Sequence, residues 1–284
     1  MDLNLNGKSV LVIGATQGMG RGVARSVARE GARVAITARE LVNYDGFRAG
    51  RPEEPLAPKP RVGEVAEELK ALGATDTLAL TADFTRTADI ERSVAAIIER
   101  WGRLDAMVNT VGVCDIGTGA LDAPDEWWDR AFQSVLMSHV RSARVVVPHM
   151  VRGGGGAIVS MSAMSIRHFI PRLAHYSAQK AALAHFTKNL AREYADRNIR
   201  ANCILPGLIE NEQYAVELRR DAAAAGLPVE AYFKQVNESW HRPTWSDRVG
   251  KPQEIGDVAA FLISDRASYI NGAWINVDGG SDGA

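Results

Sequence analysis

The stretch Ser9-Val-Leu-Val-Ile13-Gly14-Ala-Thr-Gln-Gly18-Met-Gly20-Arg21 decides how the rest of the chain is read. Apolar residues fill 10–13, glycines fall at 14, 18 and 20, and a helix-period stretch follows. A strand that ends in such a turn brings the backbone close to whatever sits at the helix N-terminus. Free N–H groups and the helix dipole favour an anion there, and the spacing suits a pyrophosphate. A plain strand-to-helix turn would need none of these glycines.

Outward from this turn, short apolar runs alternate with helix-period stretches to the end of the chain. Strands are predicted at 9–13, 33–37, 77–81, 106–109, 157–162, 201–205 and 274–277, and helices at 18–30, 62–72, 87–101, 124–150, 174–196 and 252–264. Strict alternation predicts a Rossmann-type doubly wound α/β fold: a parallel sheet of about seven strands with helices on both faces. One domain over 1–284 is expected. Two segments break the rhythm. Residues 42–60, rich in Pro and Gly, read as an insertion loop. Residues 208–249 carry Tyr214, Tyr232, Phe233, Trp240 and Trp245. They read either as a lid over a pocket or as an ordinary packed helix pair.

Composition excludes several classes. The 284 residues are 46% hydrophobic and 24% charged, with net charge -1 and a sequence pI of about 6.6, so no basic field for nucleic acid exists. Cys114 and Cys203 lack histidine partners at ligand spacing. Neither a disulfide framework nor a metal site is expected, and a reducing, cytoplasmic setting fits. The first residues lack the order of a signal peptide, and no apolar run reaches the ~18 residues of a spanning helix. A soluble protein without membrane partners is expected.

Chemistry enters with Tyr176 and Lys180, one helical turn apart on one face. An ammonium beside a phenol lowers its pKa from about 10 towards working pH and makes it a usable proton donor or acceptor. Alone, the pair is common on helix surfaces. Context must decide.

That context resembles the short-chain dehydrogenase/reductase family, single-domain type. The glycine turn is similar to the family's Thr-Gly-x-x-x-Gly-x-Gly, with Ile13 at the threonine position. Asp83 in Ala82-Asp83-Phe84 resembles its adenine-contacting acid, and Asn109-Thr-Val-Gly112 its Asn-Asn-Ala-Gly. Pro206-Gly207 resembles the turn beside the nicotinamide, and Asn271-Gly-Ala-Trp-Ile-Asn-Val-Asp-Gly-Gly280 the terminal strand. The resemblance implies a nicotinamide dinucleotide held by Gly14, Thr16, Gln17, Gly18, Met19, Gly20, Asp83, Phe84, Asn109, Gly112, Tyr176, Lys180, Pro206, Gly207 and Ile209. The second strand ends Ile36-Thr-Ala38-Arg39, with no acid for a ribose hydroxyl and a guanidinium suited to a 2′-phosphate. NADP is expected, with NAD possible.

Of the four catalytic groups the resemblance implies, Tyr176 and Lys180 are present. Val135 stands in the asparagine slot and Ala163, thirteen residues before Tyr176, in the serine slot. Asn211 replaces a threonine after Pro206-Gly207. Ser162 and Ser165 are the candidate replacement hydroxyls, with His139, His168 and His175 as further donors. Three readings stay open: hydride transfer between a carbonyl and an alcohol, non-redox chemistry in the same pocket, or a structural or regulatory subunit. The pocket should be lined by Val113, Cys114 and Ile116, by Met164, His168 and Phe169, and by Leu208, Tyr214 and Trp240. Its apolar character points to a hydrophobic ketone or aldehyde and the corresponding alcohol. The resemblance also implies a homodimer or homotetramer through the helices at 124–150 and 174–196.

Overall fold

The computed structural model describes residues 2–39, 60–112, 119–168, 173–239 and 243–282. Seven strands form one parallel sheet in the order β3-β2-β1-β4-β5-β6-β7. They are β1 (Ser9–Ile13), β2 (Arg33–Ala38), β3 (Asp76–Thr81), β4 (Ala106–Asn109), β5 (Gly156–Met161), β6 (Ile199–Pro206) and β7 (Trp274–Val277). Around them lie α1 (Gly18–Arg29), α2 (Val62–Ala71), α3 (Thr87–Trp101), α4 (Asp125–Ala131), α5 (Ser138–Arg152), α6 (Ala174–Glu193), α7 (Glu212–Ala224), α8 (Val229–Ser239) and α9 (Pro252–Ile263). The chain runs outward from β1 to β3, then returns to add β4 on the other side. Ile13 pairs with Thr37 on one flank and with Asn109 on the other. This reversal opens a crevice at the strand C-termini, where ligands of such sheets bind.

Central strands are apolar on both faces because helices cover both. Val10 and Val12 pack towards α1 and α9 with Val23, Val27, Val34 and Ile255. Leu11 and Ile13 face the opposite layer with Ile90, Val94, Met107, Val146 and Ile158. Alternation therefore vanishes from β1, as expected for a strand buried on two sides. It returns at the sheet edge, where β7 exposes every second residue. Helices α1 and α9 touch backbone to backbone. A Cβ on Gly22 would lie 2.2 Å from the Pro252 carbonyl oxygen, and one on Gly256 2.4 Å from that of Gly22.

Every predicted strand and helix is present, with ends shifted by a few residues, apart from the predicted helix at 124–150. There α4 and α5 are joined by a π-helical turn, Phe132–Met137. Its cause is legible in Ser134, Ser138 and Ser142, which bond the carbonyls four residues back, Arg130, Ser134 and Ser138. Such back-bonding bends helices, and π turns widen them. Residues 208–249 fold into α7 and α8, and their return is tied to the end of β7 by Trp245 N–H donating to Gly279 O at 2.9 Å. Of the expected insertion loop only Pro60 falls among the described residues. Val113, Cys114, Ile116, Phe169 and Trp240 lie outside them.

Candidate active site

The glycine turn is closed by tight contacts. Gly14 and Ala15 donate to Thr37 O, and Gly14 takes a φ of 82°, a left-handed conformation that favours glycine. A Cβ on Gly20 would lie 2.1 Å from Gly14 O and 2.7 Å from Thr110 Oγ1. Thr110 in turn donates to Ile13 O at 2.7 Å. Gln17 is the N-cap of α1 and makes no side-chain cap, so its side chain satisfies none of the first N–H groups of the helix. The Gly18 N–H donates to the Glu212 carboxylate at 3.0 Å, so this turn already receives an anionic group. The cradle fits a pyrophosphate in shape and polarity.

The other expected cofactor residues differ in exposure and contacts. Thr16 and Met19 are half-buried beside the turn, and Arg39 is exposed one residue beyond β2. The Asp83 carboxylate accepts from Thr85 N–H and Oγ1 at 2.9 and 2.7 Å, while Phe84 is core. Asn109 Oδ1 accepts from Val111 N–H at 3.0 Å, and its Nδ2 is buried without a partner among the described residues. At Gly112 a Cβ would lie 3.1 Å from Lys180 Nζ. Gly207 leaves β6 against Asp278, and Ile209 bridges Gly250.

Tyr176 and Lys180 lie on α6 as their spacing predicts, with Lys180 Nζ 5.3 Å from the Tyr176 ring centre. Lys180 is buried, and its ammonium donates to the Met161 carbonyl at the end of β5 at 2.5 Å. Ser162 Oγ donates to the Lys180 carbonyl at 2.9 Å. Two adjoining residues of the β5 end thus clamp Lys180 at backbone and side chain. The Ser162 hydroxyl, expected as a replacement donor, is engaged by α6. Ala163 follows with extended backbone, and Ser165 sits in the 3₁₀ turn Met164–Ile166. Its hydroxyl is buried and has no hydrogen-bond partner among the described residues.

The histidines separate clearly. His139 is 1% exposed, with Nε2 3.1 Å from Asn109 O and Nδ1 3.2 Å from Ser138 Oγ. Burial, and then the Lys180 charge, push its pKa down to about 3, opposed by the carbonyls of Asn109 and Val135. It is neutral at ordinary pH and braces β4 against α5. His175 packs its ring on Trp127 and Trp128 of α4, with centroids 5.6 and 6.1 Å away. The His168 side chain is buried, its Nδ1 3.6 Å from Asp282 Oδ1. Sequence reading missed Thr110, the Met161 carbonyl and Glu212. Only Glu212 carried a signal, as an acid directly after Asn211.

The fold thus combines a doubly wound sheet, a glycine turn at its switch point and a Tyr–Lys pair on α6. Residues 56–282 match the family described as Enoyl-(Acyl carrier protein) reductase. Dehydrogenase/reductase SDR family member 4 from Bos taurus is 31% identical over 98% of this chain and 88% of its own length. The NAD-dependent glycerol dehydrogenase of Listeria innocua is 30% identical, over 98% and 95% of the two chains. L-Sorbose reductase from Gluconobacter frateurii, solved with NADPH and L-sorbose, superposes with a TM-score of 0.86 at 29% identity, covering all of both chains. The chain belongs to the short-chain dehydrogenase/reductase family and is an NAD(P)-dependent oxidoreductase.

Proposed function

We propose that the protein interconverts a hydrophobic ketone or aldehyde and its alcohol with NADP(H), Tyr176 acting as acid/base and Lys180 as the charge that eases phenol ionisation. The observation that carries this reading is the buried ammonium of Lys180, fixed beside Tyr176 by the Met161 carbonyl. The bound cofactor would supply or accept the hydride. In reduction the Tyr176 hydroxyl gives its proton to the carbonyl oxygen, and the phenolate left behind is stabilised by Lys180. In oxidation the phenolate takes the proton back. Ser165 is the best-supported replacement for the missing serine, since its buried hydroxyl has no other partner among the described residues. Ser162 acts through Lys180, as a positioning residue.

Arg39 just after β2, and NADPH in the sorbose reductase complex, support NADP over NAD. Met164, Leu208 and Tyr214 favour an apolar substrate, whereas the sorbose and glycerol enzymes act on polyhydroxylated compounds. A test panel of carbonyl compounds therefore contains both classes. Purified protein with NADPH should oxidise the cofactor in the presence of aliphatic or aromatic ketones more than with L-sorbose, and Tyr176→Phe should abolish the absorbance change. Cofactor binding without turnover on any member would refute the redox reading. We further propose a homodimer or homotetramer, a reading favoured by Phe132, 38% exposed at the start of the π turn of the expected interface helix.

A further inference from the structure

The carboxylate of Glu212 lies on the anion site of the glycine turn. Its Oε2 and Oε1 are 3.0 and 3.4 Å from the nitrogen of Gly18, the first residue of α1. Glu212 is itself the first residue of α7, 194 positions further along. The contact is built from both sides. Asn211 caps α7 by accepting from Tyr214 N–H at 2.8 Å, and its Cβ lies 3.5 Å from where a Cβ on Gly18 would stand. Gly18 takes a φ of 49°, a left-handed conformation that favours glycine. The carboxylate is therefore placed by the capped first turn of α7, which packs in ordinary contact against Gly18.

One N–H cannot serve two anions, and a carboxylate beside a phosphate adds repulsion to the competition. We propose that Glu212 is a built-in competitor for the pyrophosphate of the dinucleotide. It occupies the Gly18 N–H while the cofactor is absent, and the first turn of α7 releases that contact as the cofactor enters. The inference rests on the glycine turn being the dinucleotide site. Its consequence is mechanical: cofactor entry shifts the helix start that carries Tyr214, an expected wall of the substrate pocket. A carboxylate in this place weakens cofactor binding, and the effect grows as salt is lowered.

Isothermal titration of the wild type, Glu212→Gln and Glu212→Ala with NADPH, NADH and adenosine tests it. Adenosine shares the outer end of the cofactor but carries no phosphate. On the scale of one partly screened charge-assisted hydrogen bond, both variants should bind the preferred dinucleotide about tenfold more tightly. Adenosine affinity should be unchanged. Melting curves check that both variants fold, and the glutamine keeps the shape of the side chain. Unchanged or weaker dinucleotide binding in both variants would overturn the proposal, as would equal tightening for adenosine, which would mark a diffuse charge effect. If no form of the protein bound either dinucleotide, the reading of the turn itself would fall, and this inference with it.

Discussion

His139 should make this protein lose stability well above the pH at which carboxylates titrate. Its imidazole is buried, donates through Nε2 to Asn109 O, and has its pKa lowered from 6.5 to about 3. The unfolded chain therefore takes up the proton first. Stability is fully present above 6.5, falls as the pH drops below it, and stops falling once the folded protein is protonated near 3. Between pH 7.5 and 5.0 the unfolded histidine gains about 1.5 pKa units of protonation free energy, or about 2 kcal/mol at 1.36 kcal/mol per unit. Any folded value below about 4 gives essentially the same loss, so the figure tests neutrality of the buried ring. Urea unfolding at both pH values, in wild type and His139→Gln, isolates the term, because the other histidines and the carboxylates cancel in the difference. Glutamine can still donate to Asn109 O. The wild type should lose about 2 kcal/mol more than the variant over this interval. Equal losses would mean that the ring is protonated or solvated in the folded state, and the account of the β4–α5 brace would fail.

Three further outcomes follow from named contacts. Arg39→Ala should raise the Michaelis constant for NADPH and leave that for NADH unchanged; equal effects would remove Arg39 from the phosphate site. Ser165→Ala should lower kcat on the order of 10²–10³-fold, as for loss of one oxyanion donor, while calorimetric cofactor affinity stays the same. A Ser165 variant with full kcat would leave Tyr176 as the only donor. Gly256→Ala places a Cβ 2.4 Å from Gly22 O, and should cost about 1–3 kcal/mol in urea unfolding as an overpacked helix contact; an unaltered midpoint would show that α1 and α9 can separate freely.

Local periodicity was enough to read the alternation of strands and helices, and the all-parallel sheet followed from it. The glycine turn and the Tyr176–Lys180 pair were equally legible, because each is a short-range spacing that the chain carries wherever it folds. The π turn at Phe132–Met137 was less so. Its three serines stand four residues apart in the sequence, but their choice between solvent and the preceding carbonyls depends on burial.

Direction and distance belong to the tertiary structure. Whether Ser162 or Ser165 faces the reacting centre could not be read from alternation, since both lie beyond the last strand residue, Met161, where the period of two no longer applies. Packing of α6 against β5 draws the Ser162 hydroxyl to the Lys180 carbonyl, 18 residues away, and leaves that of Ser165 without a partner among the described residues. The same holds for His139 on Asn109 O and Glu212 on the Gly18 N–H, contacts that span 30 and 194 residues. By itself the sequence determined which groups were available and in what order. Only the packing of distant elements decided which of them meet, because a hydrogen bond depends on a few tenths of an ångström and an angle that no local pattern encodes.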